Sequence, residues 1–210
     1  MKKLFYVSTV LLLLSITKGQ AQNIFQKIFD GDSSITAGTD VKQTTDGGYI
    51  LAGLTNSYGA GDRDIYVIKL NSVGDTVWTR TFGNSSIEDG SSIIQTPDNC
   101  YVVTGDMMGQ NNNYKSVVFL LKIDQNGNTK WMKTYDSGNS AYGSFIQLTH
   151  DGGFLISGGT SDSIYSAYII KTDSIGTPQW NKIFKNSYTY PETLARGSFE
   201  DDFGNYYITG

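Results

Sequence analysis

A single cysteine, a single histidine and only three prolines among 210 residues exclude several common designs at once. One Cys cannot form a disulfide within the chain, so a small disulfide-stapled scaffold is ruled out. One His and one Cys also rule out a structural zinc site of several Cys or His ligands. Past residue 16 no apolar run approaches the ~20 residues that span a bilayer, so no transmembrane segment is expected. Basic charge is short as well: 16 Lys and Arg face 20 Asp and Glu. Three of those cations lie in the first 21 residues, and without that segment 13 bases against 20 acids leave a net charge of −7. An acidic surface argues against a nucleic-acid partner and for a self-repelling, soluble protein. What the chain does have is 24 Gly and 14 Tyr, the mark of a turn-rich β protein and not of a disordered one.

The N-terminus reads as an address. Lys2 and Lys3 precede an apolar run from Leu4 to Ile16, and Gly19-Gln20-Ala21 stands before Gln22. A basic start, a short apolar core and small residues at the −3 and −1 positions describe a cleaved secretory signal peptide over 1–21, cut between Ala21 and Gln22. No Cys follows the core, so lipid attachment is not expected. The mature protein is expected to be secreted, extracellular or at the cell surface, with the periplasm as the alternative.

The mature chain repeats itself. TTDGGYILAG ends at Gly53, TPDNCYVVTG at Gly105, THDGGFLISG at Gly158 and DDFGNYYITG at Gly210, at intervals of 52, 53 and 52 residues. Between them IYVIKLNSVGDTVW runs to Trp78, VFLLKIDQNGNTKW to Trp131 and YIIKTDSIGTPQW to Trp180. Lys69, Lys122 and Lys171 each stand nine residues before their Trp. Self-similarity at a fixed period of this length indicates a repeat architecture.

Each copy predicts four short strands, in the first copy about 39–45, 48–55, 64–70 and 76–82. Asp46-Gly47-Gly48 and Asn71-Ser72-Val73-Gly74 supply turns after the first and third. The middle two strands are apolar on both faces and must be covered on both sides. The fourth alternates, with Trp78, Arg80 and Phe82 on one face. The fold class is therefore all-β, a β-propeller-like array of four-stranded antiparallel blades. Blade units are expected at about 36–83, 88–136 and 141–185, with a partial one at 193–210. Residues 23–30 match a fourth strand and are expected to act as a lone closing strand. The 189 mature residues hold about 3.6 repeats, whereas closed propellers have roughly four to eight blades. Closing the ring is expected to need missing blades or a second chain, and the sequence reads as a fragment of a larger ring.

The stretch DGGYILAGLTNSYGAGDRDIYVIKLNSVGDTVWTRTFG resembles the propeller-type repeats of secreted Bacteroidetes proteins, over essentially the whole mature chain. The resemblance implies a cell-surface or extracellular placement and no defined chemistry. Members often carry a C-terminal type IX secretion sorting domain, which these 210 residues do not show. IDQNGNTKW is also similar to the blade repeat of quinone-dependent dehydrogenases, but there is no adjacent-Cys pair and no quinone pocket to accompany it. No cofactor is expected.

Several residues invite a chemical reading and are better explained by structure. His150 aligns with Thr45 and Pro97, the residue before a turn Asp. Cys100 aligns with Gly48 and Gly153 and reads as a small core residue with an inert thiol. Asp124 to Asn128 looks like the start of a calcium loop, yet Tyr135 occupies the twelfth position where a bidentate Glu is needed, so a hairpin turn is expected. Asp62 and Asp64 could hold a cation with backbone carbonyls, although only one copy carries both. The trios Phe25/Lys27/Phe29, Trp78/Arg80/Phe82, Trp131/Lys133/Tyr135 and Trp180/Lys182/Phe184 could form a stacking platform. Their recurrence favours rings packed on the neighbouring blade, with the basic stems reaching water.

Loop length points to a binding face. Turns after strands one and three are constant, whereas connections after strands two and four vary, and all of these lie on one rim. Candidate ligand contacts there are Tyr58, Arg63, Asn111, Asn112, Asn113, Tyr114, Tyr188 and Tyr190. The reading is a binding or structural module without catalysis, its ligand a glycan or a protein. The alternative is a piece of a carbohydrate-active or quinone-dependent propeller enzyme whose active site lies in missing blades. A binding module should carry no acid/base pair on the variable rim. An enzyme should show clustered carboxylates or a cofactor pocket near the channel, and Glu88-Asp89 is the nearest such pair.

Overall fold

A computed structural model describes residue 26 and residues 35–108, 115–161, 165–185 and 194–210. Three hairpin-rich segments each fold as a four-stranded antiparallel meander. The first holds β1 (Thr36–Gln43), β2 (Tyr49–Thr55), β3 (Asp64–Leu70) and β4 (Thr76–Phe82). The second holds β5 (Glu88–Gln95), β6 (Tyr101–Met108), β7 (Ser116–Ile123) and β8 (Thr129–Tyr135). The third holds β9 (Ser140–Leu148), β10 (Phe154–Ser161), β11 (Tyr165–Thr172) and β12 (Pro178–Phe184). A two-stranded sheet of β13 (Gly197–Glu200) and β14 (Tyr206–Thr209) follows. The described residues contain no helix, so none is long and apolar enough to cross a membrane.

The protein is thus an all-β array of propeller-like blades in chain order, and the described sheets do not close into a ring. The signal segment and the expected closing strand lie outside the described residues, apart from an exposed Gln26. The strand expected at 39–45 occupies Thr36–Gln43 instead. Thr44 and Thr45 are drawn into the turn, where Thr44 N–H donates to Gly48 O and Gly47 N–H to Thr44 O.

Wedge shape follows from how the sheets meet. The first strands β1, β5, β9 and β13 contact one another in succession, whereas the fourth strands make no comparable contact. First strands therefore lie innermost and fourth strands outermost. Each complete first strand carries a bulge at the same place, at Thr39, Ser91 and Ser144. There the backbone bends over the glycine that ends each repeat motif. A Cβ on Gly53, Gly105 or Gly158 would strike the carbonyl oxygen of Ala37, Asp89 or Tyr142. Only glycine permits that approach.

The apolar middle strands explain the core. Between the first two sheets Ile50, Ile65 and Val67 pack on Tyr101, Val103 and Phe119. Val102, Val118 and Leu120, on the opposite face of the second sheet, pack on Ile146, Phe154 and Ile170 of the third. Leu155 and Ile169 then meet Ala195 and Tyr206 of the last sheet. Each such side chain contributes roughly 1.5–3 kcal/mol on full burial. Period-two alternation thus serves two interfaces from one strand.

Candidate functional site

The meander places the turns after strands one and three on one rim of the array and the longer connections on the other. On the short-turn rim, the lysine nine residues before each Trp, buried at Lys69 and Lys171 and nearly so at Lys122, reaches back to the aspartate of the strand one–two turn. Lys69–Asp46 spans 2.9 Å, Lys122–Asp98 2.8 Å and Lys171–Asp151 2.8 Å. The Lys171 side chain is 2% exposed and also donates to Thr172 O and Gln179 Oε1. Hydrogen bonds from the Thr44 hydroxyl and from Lys69 hold the Asp46 carboxyl down at about 2. Burial works the other way at Asp98 and Asp151, but their lysines and threonines win and hold both well below the usual carboxylate range. The lysine spacing was legible in the sequence; its partner was not. These pairs recur in every complete sheet and belong to the scaffold.

The aromatic trios are scaffold too. Trp78 meets Tyr101 at 6.2 Å between ring centroids, Trp131 meets Phe154 at 6.4 Å, and Trp180 meets Tyr206 at 5.6 Å. Every Trp therefore lies against the first aromatic residue of strand two in the following sheet. Trp78 Nε1–H donates to Gln125 O across the same boundary, and Tyr135 O–H donates to Gly176 O across the next. Arg80 stands 5.9 Å over the Trp78 ring and is itself exposed. Phe25, Lys27 and Phe29 lie outside the described residues.

A hollow of about 430 Å³ opens on this short-turn rim between the first two sheets. Trp78 and Tyr101 line it together with Gln95, Asn99, Gln125 and Asn126. Gln95 Oε1 accepts from Thr45 N–H at 2.8 Å. Asn99 has φ 58° and is the one non-glycine residue in the left-handed region among those described. The variation in loop length gave no hint of this site, because it lies on the opposite rim.

On the long-connection rim, Tyr58 is half exposed and stacks at 6.0 Å on Tyr66. Together they border a hollow of about 460 Å³ beside Thr79, Arg80 and Thr81. Arg63 is not a free ligand contact: its Nη2 donates to Asp89 Oδ2 at 2.7 Å. Asn111, Asn112, Asn113, Tyr114, Tyr188 and Tyr190 lie outside the described residues, as do Ala21 and Gln22.

The structure places clustered carboxylates on this rim, the feature expected of the enzyme alternative and not of a binding module. Asp64 and Glu88 are both buried, and their carboxylates converge over Gly83. Ala60 and Gly61 N–H groups donate to Asp64 Oδ2, and Asn84 N–H donates to Glu88 Oε2. Asp89 pairs in register with Asp106 across β5 and β6. Burial, reinforced by the neighbouring Asp89, pushes the Asp106 carboxyl up to about 7, with Arg63 and Ser116 opposing. Burial likewise raises Glu88 and Asp89. Glu88 Oε1, Asp89 Oδ1 and Arg63 Nε are buried without a hydrogen-bond partner among the described residues. The sequence pointed to Asp64 and to Glu88-Asp89 separately but did not join them to Asp106, because the four acids come from three strands, β3, β5 and β6. In the third sheet the same positions hold Ser166, Ala141, Tyr142 and Gly159.

The remaining candidates fall into structural roles. His150 N–H donates to Glu200 Oε2 from an exposed turn position. Cys100 is buried, free and raised by burial and by Asp98, which makes its thiol unreactive. Asp124 Oδ1 accepts from Asn126 and Asn128 N–H, and its Oδ2 from Asn128 Nδ2, so this acid closes a hairpin. Among the described residues no group of three or more His, Cys, Asp or Glu is arranged to hold a metal ion.

No family model matches the chain, and no curated protein matches it. Among solved structures it is similar to a protein of unknown function from Bacteroides caccae, known from a crystal structure at 1.35 Å resolution. The TM-score is 0.53 at 11% identity, over 81% of this chain and 52% of that one. The chain thus spans about half the length of that neighbour, and the likeness is one of fold. It is compatible with the repeats of Bacteroidetes that the sequence resembles.

Proposed function

We propose that the chain is an exported, propeller-like binding module that acts by surface contact, with a glycan or a protein as its ligand and no bond chemistry of its own. One observation carries this reading. The lysine–aspartate pairs, the bulge-covered glycines and the tryptophan contacts recur sheet after sheet, whereas the amides around the short-turn hollow and the acids at 64, 88, 89 and 106 break the repeat. A repeating scaffold leaves such deviations free to serve recognition. The lysine-flanked apolar N-terminus and Gly19-Gln20-Ala21 support export to the cell surface or beyond. The test is surface plasmon resonance of the full-length mature chain over immobilised neutral and acidic glycans and over immobilised secreted proteins. Saturable retention on one surface is expected, and retention on none overturns the reading.

The carboxylate cluster favours a second, hydrolytic reading, since Asp106 at about 7 is suited to proton donation. Two features count against it. Arg63 is already committed to Asp89, and none of the four acids lines the hollows described above. Turnover of a chromogenic glycoside that disappears in Asp106→Asn would favour the enzyme.

A further inference from the structure

From the hollow between the first two sheets we infer a binding site for a neutral oligosaccharide, with the half-buried Trp78 indole as its floor and the amides of Gln95, Asn99 and Asn126 as its hydrogen-bonding wall. This deepens the binding-module reading and rests on it. Volume comes first: about 430 Å³ is room for one or two sugar rings, in the range of ordinary small-ligand sites. Its chemistry is mixed. The half-buried Trp78 indole, backed at 6.2 Å by the buried Tyr101 ring, offers apolar surface to the C–H faces of a pyranose. Side-chain amides both donate and accept, which suits hydroxyl groups that do the same. The one ion pair at its edge, Lys69–Asp46, is internally compensated, so no net charge selects a charged ligand.

The decisive comparison is with the boundary between the second and third sheets. That boundary has the same ring pair, Trp131 on Phe154, and the same ion pair, Lys122–Asp98. Yet Leu148 stands there where Gln95 stands in the first boundary, Gly152 where Asn99 stands, and Ile175 where Asn126 stands. All three amides have thus been replaced by groups that cannot hydrogen-bond a sugar. Packing therefore does not require the amides of Asn99 and Asn126, whereas Gln95 also accepts the Thr45 N–H, a donor that the sister boundary lacks because Pro97 stands there. Asn99 adds a conformational argument. It holds φ 58°, where the sister turns place Gly47, Gly152 and Gly204 with φ 80°, 79° and 80°. Glycine takes that conformation freely, and a side chain there is retained against a backbone cost. Its Oδ1 lies 3.3 Å from the Thr45 hydroxyl, so the amide is anchored at the mouth of the hollow.

The comparison also supplies variants compatible with folding, since the Thr45 N–H that Gln95→Leu releases is exposed to water. Gln95→Leu, Asn99→Gly and Asn126→Ile, singly and combined, install what the sister boundary already carries. The full-length mature chain and the triple variant are titrated calorimetrically with cello-, xylo-, malto- and chito-oligosaccharides, with melting temperature as the folding control. At least one series is expected to bind the parent chain. The triple variant is expected to bind it at least tenfold more weakly with an undiminished melting temperature, and Asn99→Gly alone is expected to melt no lower than the parent. Equal oligosaccharide affinity in both proteins overturns this site while leaving the binding-module reading standing. Absence of binding in all four series, with a protein retained in the resonance experiment, overturns the oligosaccharide inference alone.

Discussion

Lys171 Nζ lies 2.8 Å from Asp151 Oδ2, tying the third strand of a sheet to the turn that joins its first two strands. The contact is lopsided: the ammonium is buried, while the carboxylate side chain is 48% exposed. Removing the acid strands a charge in the interior; removing the lysine returns a carboxylate to water. Asp151→Ala should therefore cost about 1–3 kcal/mol. The double variant Asp151→Ala/Lys171→Met should recover part of that loss, because an apolar replacement of the whole pair leaves no charge to desolvate. Urea unfolding of the parent, the single and the double variants gives the comparison.

Acid should loosen all three sheets together. Asp46, held at about 2, and Asp98 and Asp151, held lower than usual, have folded-state values below the unfolded carboxylate value of about 4. Their contribution is present above pH ~4 and is lost as pH falls through the folded values. Thermal melts between pH 5 and pH 2 should show a steep decline. In Asp46→Asn/Asp98→Asn/Asp151→Asn that decline should be flatter from a lower starting point.

Asp106 has the opposite sign. Its folded value of about 7 lies above the unfolded one, so the folded state holds the proton more tightly. Stability from this group is full below pH ~4 and falls as pH rises toward 7. Asp106→Asn should raise the melting temperature at pH 8 and leave it nearly unchanged at pH 4. An equal shift at both values would show that Asp106 does not titrate in this range.

Trp131→Ala should cost about 3–5 kcal/mol, because the ring fills the boundary with Phe154 and does not lie on a free surface. Chemical denaturation measures it, and a loss under 1 kcal/mol would return the ring to the surface.

Gly105→Ala should destabilise by about 1–3 kcal/mol through overpacking against the Asp89 carbonyl. Gly204→Ala is the control at an open position, where only backbone conformation is strained. A crystal structure of Gly105→Ala should show β5 displaced at its bulge.

Strand composition made the blades legible, since apolar residues on both faces of the middle strands require cover on both sides. The packing of Trp78, Trp131 and Trp180 on the neighbouring sheet was legible from recurrence alone. Their ring partners Tyr101, Phe154 and Tyr206 were not, because that identity depends on the stagger between sheets. Loop length drew attention to Tyr58 and Arg63, and the structure commits Arg63 to Asp89. Asp64 and the Glu88-Asp89 pair were visible in the sequence, but their grouping with Asp106 was not, since each is an isolated exception to the repeat. Gln95, Asn99 and Asn126 were hidden for a related reason. They come from one strand and two separate turns of the second sheet, and only the fold brings them to one hollow.

Every tryptophan of the array engages the sheet after it, so adhesion between neighbours has a polarity. One side of a unit always lends an indole, and the opposite side always receives one. Such head-to-tail joints cannot be satisfied by a mirror arrangement of like faces. Any further unit, grafted or naturally adjoining, must offer a receptive aromatic toward β12-type strands or a donor indole toward β2-type strands.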